Sequence, residues 1–299
     1  MQGVEIRPLV TVEELDAVVE LQKRTEGQEE SAIHRRLLLS FVNNGGFVVG
    51  AVKDNQVIGY LIGYLGLENP QADRPAMANL KMVSQRMGVL PEYRDHGIGY
   101  ALKLAQRRYA VEQGIRLITW TFDPLKSRNA HFNIRKLGAI AREYYRDFYH
   151  TQTGDKVSAH SSDRLLVEWW VTNNRVEQRV NARRAGLTIE QYMNGNATLI
   201  NPTRLSPSGM VLPADDHIQA RSNIALIEVP DHWDEIRSSD PSLADAWRAH
   251  TREMLEGVLN EGAALTDFVQ GQWEGRERSF YVASFVEFVD FQVARFSSN

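Results

Sequence analysis

The chain has 299 residues, 43% of them hydrophobic and 24% charged, with a formal net charge of −4. That balance suits a globular protein of about two domains and supplies no global basic field for nucleic acid or an anionic membrane. Cysteine is absent, which excludes disulfides, thiolate metal sites and a cysteine nucleophile.

The first residues, Met1-Gln2-Gly3-Val4-Glu5-Ile6-Arg7, lack the basic-then-apolar order of a signal peptide. No apolar run reaches the roughly 18 residues of a membrane span. A cytoplasmic chain without membrane or nucleic-acid partners is expected. Alternation over 4–10 predicts a strand, near an edge because of Pro8. Thr11 and Glu14 form a capping-box pattern, and the helix after them carries Leu15, Val18, Val19 and Gln22 on one face. A second helix is predicted over 31–42, stopped by Asn43-Asn44-Gly45-Gly46. Two β-rich runs, 47–53 and 56–64, flank Asp54-Asn55 and predict a hairpin. A polar loop over 68–77 leads to a strand over 79–90.

A helix follows from Gly97 to about Gln113, with Ile98, Ala101, Leu102, Ala105 and Tyr109 as its apolar face and Gly114 just past its end. Next come a strand over 117–122 and a short helix from Ser127 to Gly138, with Ala130, Ile134 and Leu137 on one side. Strands are predicted over 139–149 and 164–171. The stretch 172–223, rich in Asn, Arg, Thr, Pro and Ser, reads as a connection with one helix near 188–193. After it come a strand over 224–230 and an amphipathic helix over 243–259, whose stripe is Ala246, Trp247, His250, Met254 and Val258. Strands over 264–270 and 279–288 close the chain.

The segment Val89-x-Pro91-x-x-Arg94-x-x-Gly97-x-Gly99 lies between a strand and an amphipathic helix. Its glycines permit positive φ and close approach of backbone to a bulky anion. Several N–H groups then converge at the positive end of a helix dipole, which makes a phosphate site out of backbone. It lacks the Gly-Lys-Ser/Thr ending of a P-loop, and Leu102 occupies the third glycine position of a dinucleotide fingerprint.

In this segment the sequence resembles the GNAT superfamily of N-acetyltransferases, whose central motif is a strand, Gln/Arg-x-x-Gly-x-Gly/Ala, and a helix. The order of elements over about 3–172 is similar too. The resemblance implies an α/β (α+β) fold with a mixed, mostly antiparallel twisted sheet flanked by helices. The change of composition after 172 and the compact pattern from 224 add a connection over 173–223 and a smaller C-terminal α+β lobe over 224–299 to a first domain over 1–172. The resemblance also implies that acetyl-CoA or another acyl-CoA is the co-substrate. Backbone at Met87, Gly88 and Val89 would pair with the pantetheine arm. The segment Arg94, Asp95, His96, Gly97, Ile98, Gly99 and Tyr100 would hold the pyrophosphate, with charge-assisted bonds from Arg94.

The family's second landmark, Asn-x-x-Ala-x-x-x-Tyr-x-x-x-Gly-Phe, is met only in part. Its asparagine falls on Ser127, with Asn129 and Asn133 close by as candidate cofactor contacts. Its tyrosine, which protonates the departing thiolate in many members, falls on Ile134, and isoleucine cannot act as an acid. Tyr144, Tyr145 and Tyr149 are the nearest other tyrosines, and Tyr145 and Tyr149 are taken as the candidate catalytic pair. No general base is identifiable. The eight histidines show no ligand spacing, so no metal is expected.

The expected function is acyl transfer from acyl-CoA to an amine of a small-molecule acceptor. The alternative, prompted by Ile134, is a non-catalytic acyl-CoA-binding or sensing protein. The C-terminal lobe reads either as a companion that shapes the acceptor site or as a stabilising lid or homodimer surface.

Overall fold

Thr11 caps the first helix as its pattern predicts. Its Oγ1 accepts from the N–H of Glu14 at 3.3 Å, and the Glu14 carboxylate accepts from the N–H groups of Val10 and Thr11 at 2.9 and 3.1 Å. In this computed structural model, the described residues are 3–26, 32–68, 79–149, 162–182, 185–207, 209–214 and 216–285. Most of the loop expected over 68–77, the first residue of the helix expected over 31–42 and the end of the strand expected over 279–288 lie outside them.

Contacts group the chain into two units: residues 1–120 with 168–173, and residues 121–167 with 174–299. Within the second unit, side-chain bonds gather residues 123–127 with the chain beyond 224. Tyr281 donates to the carbonyl of Pro124 at 2.7 Å, Arg248 forms a two-pronged pair with Asp123 at 2.7 and 3.0 Å, and Ser127 donates to the carbonyl of Asp231 at 3.1 Å.

In the first unit, strands β1 (Val4–Pro8), β2 (Phe47–Lys53), β3 (Gln56–Leu67), β4 (Leu80–Val89) and β5 (Leu117–Phe122, up to Trp120) lie in that order. The first four pair antiparallel and β4 pairs parallel with β5. Asp54 and Asn55 both take positive φ, 48° and 63°, which matches the right-handed twist of the β2–β3 hairpin. Helices α1 (Val12–Glu26) and α3 (Ile98–Glu112) cover opposite faces, while α2 (Arg35–Asn43) packs on β2. A side chain at Gly88 would meet Tyr60 and Thr25 on the α1 face; side chains at Gly59 and Gly63 would meet Ile98 and Gln106 on the α3 face. Leu15, Val18 and Gln22 of α1 are buried as its periodicity predicts.

In the second unit, β6 (Ile140–Tyr145), β12 (Ala264–Trp273), β13 (Arg276–Ser284), β11 (Ile224–Val229) and β8 (Thr198–Leu199) are neighbours in that order. Strand β7 (Arg164–Trp170), of which residues 164–167 belong to this unit, is the neighbour of β6. Helix α4 (Ser127–Ala130) runs into a wide turn, His131–Lys136, and ends before Gly138 at φ 76°. The polar stretch read as a connection is more ordered than expected. It holds α5 (Asn174–Val180), α6 (Ile189–Asn194) and a small ribbon of β9 (Arg204–Leu205) and β10 (Val211–Leu212). Val176, Ile189 and Ile200 are its buried anchors. Helices α7 (Trp233–Ser239) and α8 (Pro241–Asn260) follow β11. The stripe predicted on α8 is shifted: Ala246 is exposed, while Arg248 and Thr251 are buried with Trp247, Met254 and Val258.

One buried cluster of this unit makes stability depend on pH. Asn201, fully buried, donates from Nδ2 to the carbonyl of Glu228 at 2.9 Å and lies 3.0 Å from His250 Nε2. With both Nδ2 hydrogens used in this way, His250 Nε2 is the acceptor, so the ring is neutral. Burial lowers the His250 pKa, against the opposing pull of Glu253. A depressed histidine pKa means the unfolded chain binds the extra proton first. Stability from this site is full above about pH 6.5 and falls as pH drops below it. The melting temperature of His250→Gln is expected to fall less than that of the parent between pH 7.5 and 5.5. Parallel pH profiles for the two proteins would refute this account.

Candidate functional site

The strand before the glycine segment is irregular in two ways. On its β3 side, Ile62 pairs with Arg86 but Gly63 pairs with Ser84. Gln85 is therefore an extra residue, a β-bulge that bends the strand. The bulge shifts the alternation of side chains. Ser84 and Met87, three apart, both meet α3: Ser84 accepts from Lys103, and a Cβ at Gly99 would touch Met87. Arg86 turns to α1, where it donates to Gln22 at 3.1 Å.

On its other side, β4 pairs with β5 only at Met82↔Ile118 and Val83↔Thr119. From Ser84 to Val89 the strand continues without that ladder, so the two strands fork. A strand edge of this kind presents backbone donors and acceptors to an extended partner. Met87, Gly88 and Val89 lie on this open stretch, all partly exposed.

Pro91–Tyr93 makes one tight turn and leads to the helix. Asp95 at φ 64° and Gly97 at φ 78° are both left-handed. Gly97 is the N-cap of α3 and offers no side chain to its N–H groups. The first turn of a helix leaves N–H groups without intrahelical partners, and the dipole makes that end positive. A Cβ added at Gly97 would meet nothing within 4 Å, so the space before the helix is open. Ile98 is buried and anchors the turn. Arg94 is exposed and folds back, donating from Nε to the carbonyl of Val89 at 3.1 Å. His96 Nδ1 lies 2.7 Å from the carbonyl of Arg94. Tyr100, in the first turn, has its hydroxyl pKa raised by burial. The expected cradle residues from Met87 to Tyr100 are thus brought onto one strand edge and one helix end. The fit to a pantetheine arm with a pyrophosphate is good: an open strand edge followed by an open, uncapped helix N-terminus.

The remaining predicted residues belong to the second unit. Asn129 is exposed at the end of α4, and Asn133 is buried with its carbonyl accepting from Ala139 at 3.1 Å. Ile134 is fully buried. The strand expected over 139–149 ends at Tyr145, and Asp147 turns the chain at φ 44°. Tyr149 therefore stands on a turn, 52% exposed, with the Arg164 guanidinium 4.9 Å from its ring centre. Tyr145 donates to Glu143 at 2.6 Å. Tyr144 is held in a network: it donates to Asp163 at 2.6 Å, and burial, with Asp163 next, pushes its pKa far up. It cannot give up a proton readily.

Sequence reading missed Lys103 and Gln106, which replace Ala101, Ala105 and Tyr109 on the fully buried face of α3. Their spacing from Ile98, Leu102 and Ala110 was the available signal, overridden because lysine and glutamine usually face solvent.

The sequence from 15 to 139 matches the model of the Acetyltransferase (GNAT) family. Residues 15–139 are a GNAT acetyltransferase domain. The forked strand, the bulge and the glycine cap all lie inside that span. Among curated proteins, none matches the chain significantly. Solved structures similar to it include the ribosomal-protein-S18-alanine N-acetyltransferase from Escherichia coli, at 12% identity and TM-score 0.45, covering 57% of this chain and 95% of that one. A GNAT family acetyltransferase from Elizabethkingia anophelis with acetyl-CoA bound is 13% identical, TM-score 0.41, covering 57% and 99%. An aminoglycoside acetyltransferase from an uncultured soil metagenomic sample, in complex with trehalose, is 16% identical, TM-score 0.37, covering 52% and 91%. The family assignment rests on the sequence match. Among the described residues no helix is long and apolar enough to cross a membrane, and no group of three His, Asp or Glu is placed to hold a metal.

Proposed function

We propose that this chain transfers an acetyl or other acyl group from acyl-CoA to an amine of a small-molecule acceptor. The observation that carries this reading is the pairing of the open β4 edge with the αL glycine cap of α3 inside the GNAT domain. The thioester of the bound co-substrate supplies the activated acyl group. The chain's own part is to pair Met87, Gly88 and Val89 with the arm and to direct N–H groups from Arg94 to Tyr100 at the phosphates. Asn129 and Asn133 are the further contacts proposed for the cofactor. Tyr145 and Tyr149 are proposed as proton donors to the departing thiolate.

The reading is of a cytoplasmic enzyme, with small molecules rather than nucleic acid or membrane as partners and a homodimer as the assembly to test. Domain boundaries near 172 and 223 remain part of the proposal. Calorimetry with CoA and acetyl-CoA is expected to show binding in the micromolar range. Release of free thiol with a panel of small amines is expected to depend on the acceptor. Tyr145→Phe or Tyr149→Phe is expected to lower kcat at least tenfold at the residue that delivers the proton. No CoA binding at millimolar concentration would end the reading. Binding without acceptor-dependent thiol release would favour the second one, an acyl-CoA sensor, for which the fully buried Ile134 speaks.

A further inference from the structure

α3 buries a lysine. Lys103 is 2% exposed. Its partners among the described residues are Ser84 Oγ at 2.8 Å, Gln106 Oε1 at 3.3 Å, the face of Trp120 at 3.4 Å from the ring centre, and the ring of Trp169 at 6.0 Å. None of these is a carboxylate. Burial holds the amine well below the usual lysine range, while the indole faces favour a positive charge.

Two of these contacts, Ser84 and Trp120, mark a particular place. β4 and β5 part after the pair Val83↔Thr119. In register, the next pair would be Ser84 and Trp120. The Lys103 nitrogen touches both of these residues, one on each prong of the fork. The same helix carries the glycine cap at its N-terminus, six residues before Lys103. Trp120 is in turn held edge-on against Trp169, with ring centres 6.0 Å apart and planes at 90°.

We propose that Lys103 is a positioning residue, a wedge at the apex of the β4–β5 fork that sets the opening into which the acyl-CoA arm fits. It ties α3, which carries the phosphate cradle, to the first residue of the open strand edge. A methionine of similar length fills the volume but cannot bond Ser84, so the fork loses its fixed width. Buried polar groups without partners are costly, and here a hydroxyl, an amide and two rings supply the partners of the amine. The proposal rests on the acyl-CoA reading above.

The test compares CoA binding and steady-state kinetics of the full-length parent, Lys103→Met and Ser84→Ala. Leu38→Ala, a core change on α2, serves as a destabilised control. Lys103→Met is expected to raise the CoA Kd and the acetyl-CoA KM about tenfold while kcat at saturation stays within twofold. Ser84→Ala, which keeps the amine and removes its bond to β4, is expected to raise both about threefold. Leu38→Ala is expected to lower the melting temperature and leave the Kd unchanged. Folded Lys103→Met with the parent's Kd overturns the wedge. If Lys103→Met does not fold, an unchanged Kd for Ser84→Ala overturns it. A parent that binds no CoA overturns the acyl-CoA reading instead, so the two failures are distinct.

Discussion

Gly97→Val is expected to raise the Kd for CoA about a hundredfold, close to 2.7 kcal/mol, while the protein stays folded. Gly97 sits at φ 78°, a region that costs an ordinary L-residue roughly 1–2 kcal/mol and a β-branched one more. A Cβ there would meet no protein atom within 4 Å. The fold can therefore accommodate the side chain, but only in the space an anion must enter. Alternatively the backbone relaxes out of the left-handed region and the N–H groups of the first turn point elsewhere. Both outcomes remove the converging donors that make the site.

Gly114 supplies an internal control. It lies past the other end of the same helix, at φ 71°, also with nothing within 4 Å of a would-be Cβ. Gly114→Val carries the same backbone strain without approaching the cradle. Calorimetry should show normal CoA binding by Gly114→Val and near-absent binding by Gly97→Val, with similar falls in melting temperature. Equal affinities in the two variants would show that the glycine segment is only a turn that starts a helix.

What could be read in the sequence follows physical rules that act locally. The Thr11 capping box, the Asp54-Asn55 hairpin and the Gly97 cap each depend on a few adjacent residues, and each appears as predicted. The bulge at Gln85 and the fork after Val83 depend on pairing with distant strands, so no local pattern announces them. Lys103, Arg248 and Asp267 were hidden for another reason. Periodicity assigns charged residues to solvent by default, and their burial is decided by partners far along the chain. Ser84 for Lys103 and Asp123 for Arg248 are such partners. The turn at Asp147 ends at Tyr145 the strand that alternation predicts as far as Tyr149. A positive φ at aspartate is uncommon enough that alternation alone gave no warning.

The stretch 172–223 holds more secondary structure than its composition predicts, and one carboxylate ties several of its elements together. Asp267, 2% exposed, sits at a register shift in β12 between Leu265 and Asp267. Its Oδ2 accepts from Arg135 Nη1 at 2.8 Å, Arg179 Nη2 at 2.9 Å and the Tyr192 hydroxyl at 2.9 Å, and its Oδ1 accepts from the N–H of Phe268 at 2.9 Å. The wide turn after α4, α5, α6 and β12 are thereby pinned to one group. Burial and the Asp267 carboxylate together raise the Tyr192 pKa, so the hydroxyl remains a donor. Arg135 also donates to the carbonyl of Leu187 at 2.8 Å, and a side chain at Gly186 would collide with its guanidinium.

Removing the acceptor leaves two mostly buried arginines, 19% and 16% exposed, facing each other without a counter-charge. Loss of one partner from a buried ion pair costs about 3–5 kcal/mol, and the residual exposure of the arginines favours the lower end. Asp267→Ala is therefore expected to lose about 3 kcal/mol by denaturant titration, with Asp267→Asn in between because it keeps an acceptor. Because α5 and α6 are held through Arg179 and Tyr192, their amides should exchange with solvent faster in Asp267→Ala than those of β13. Adding Arg135→Met and Arg179→Met to an Asp267→Leu background should recover much of the loss, since an apolar cluster needs no counter-ion. A loss below 1 kcal/mol in Asp267→Ala, or unchanged exchange over residues 174–194, would mean that apolar anchors such as Val176 and Ile189 order this stretch unaided. The carboxylate would then only neutralise charges the fold had already brought together.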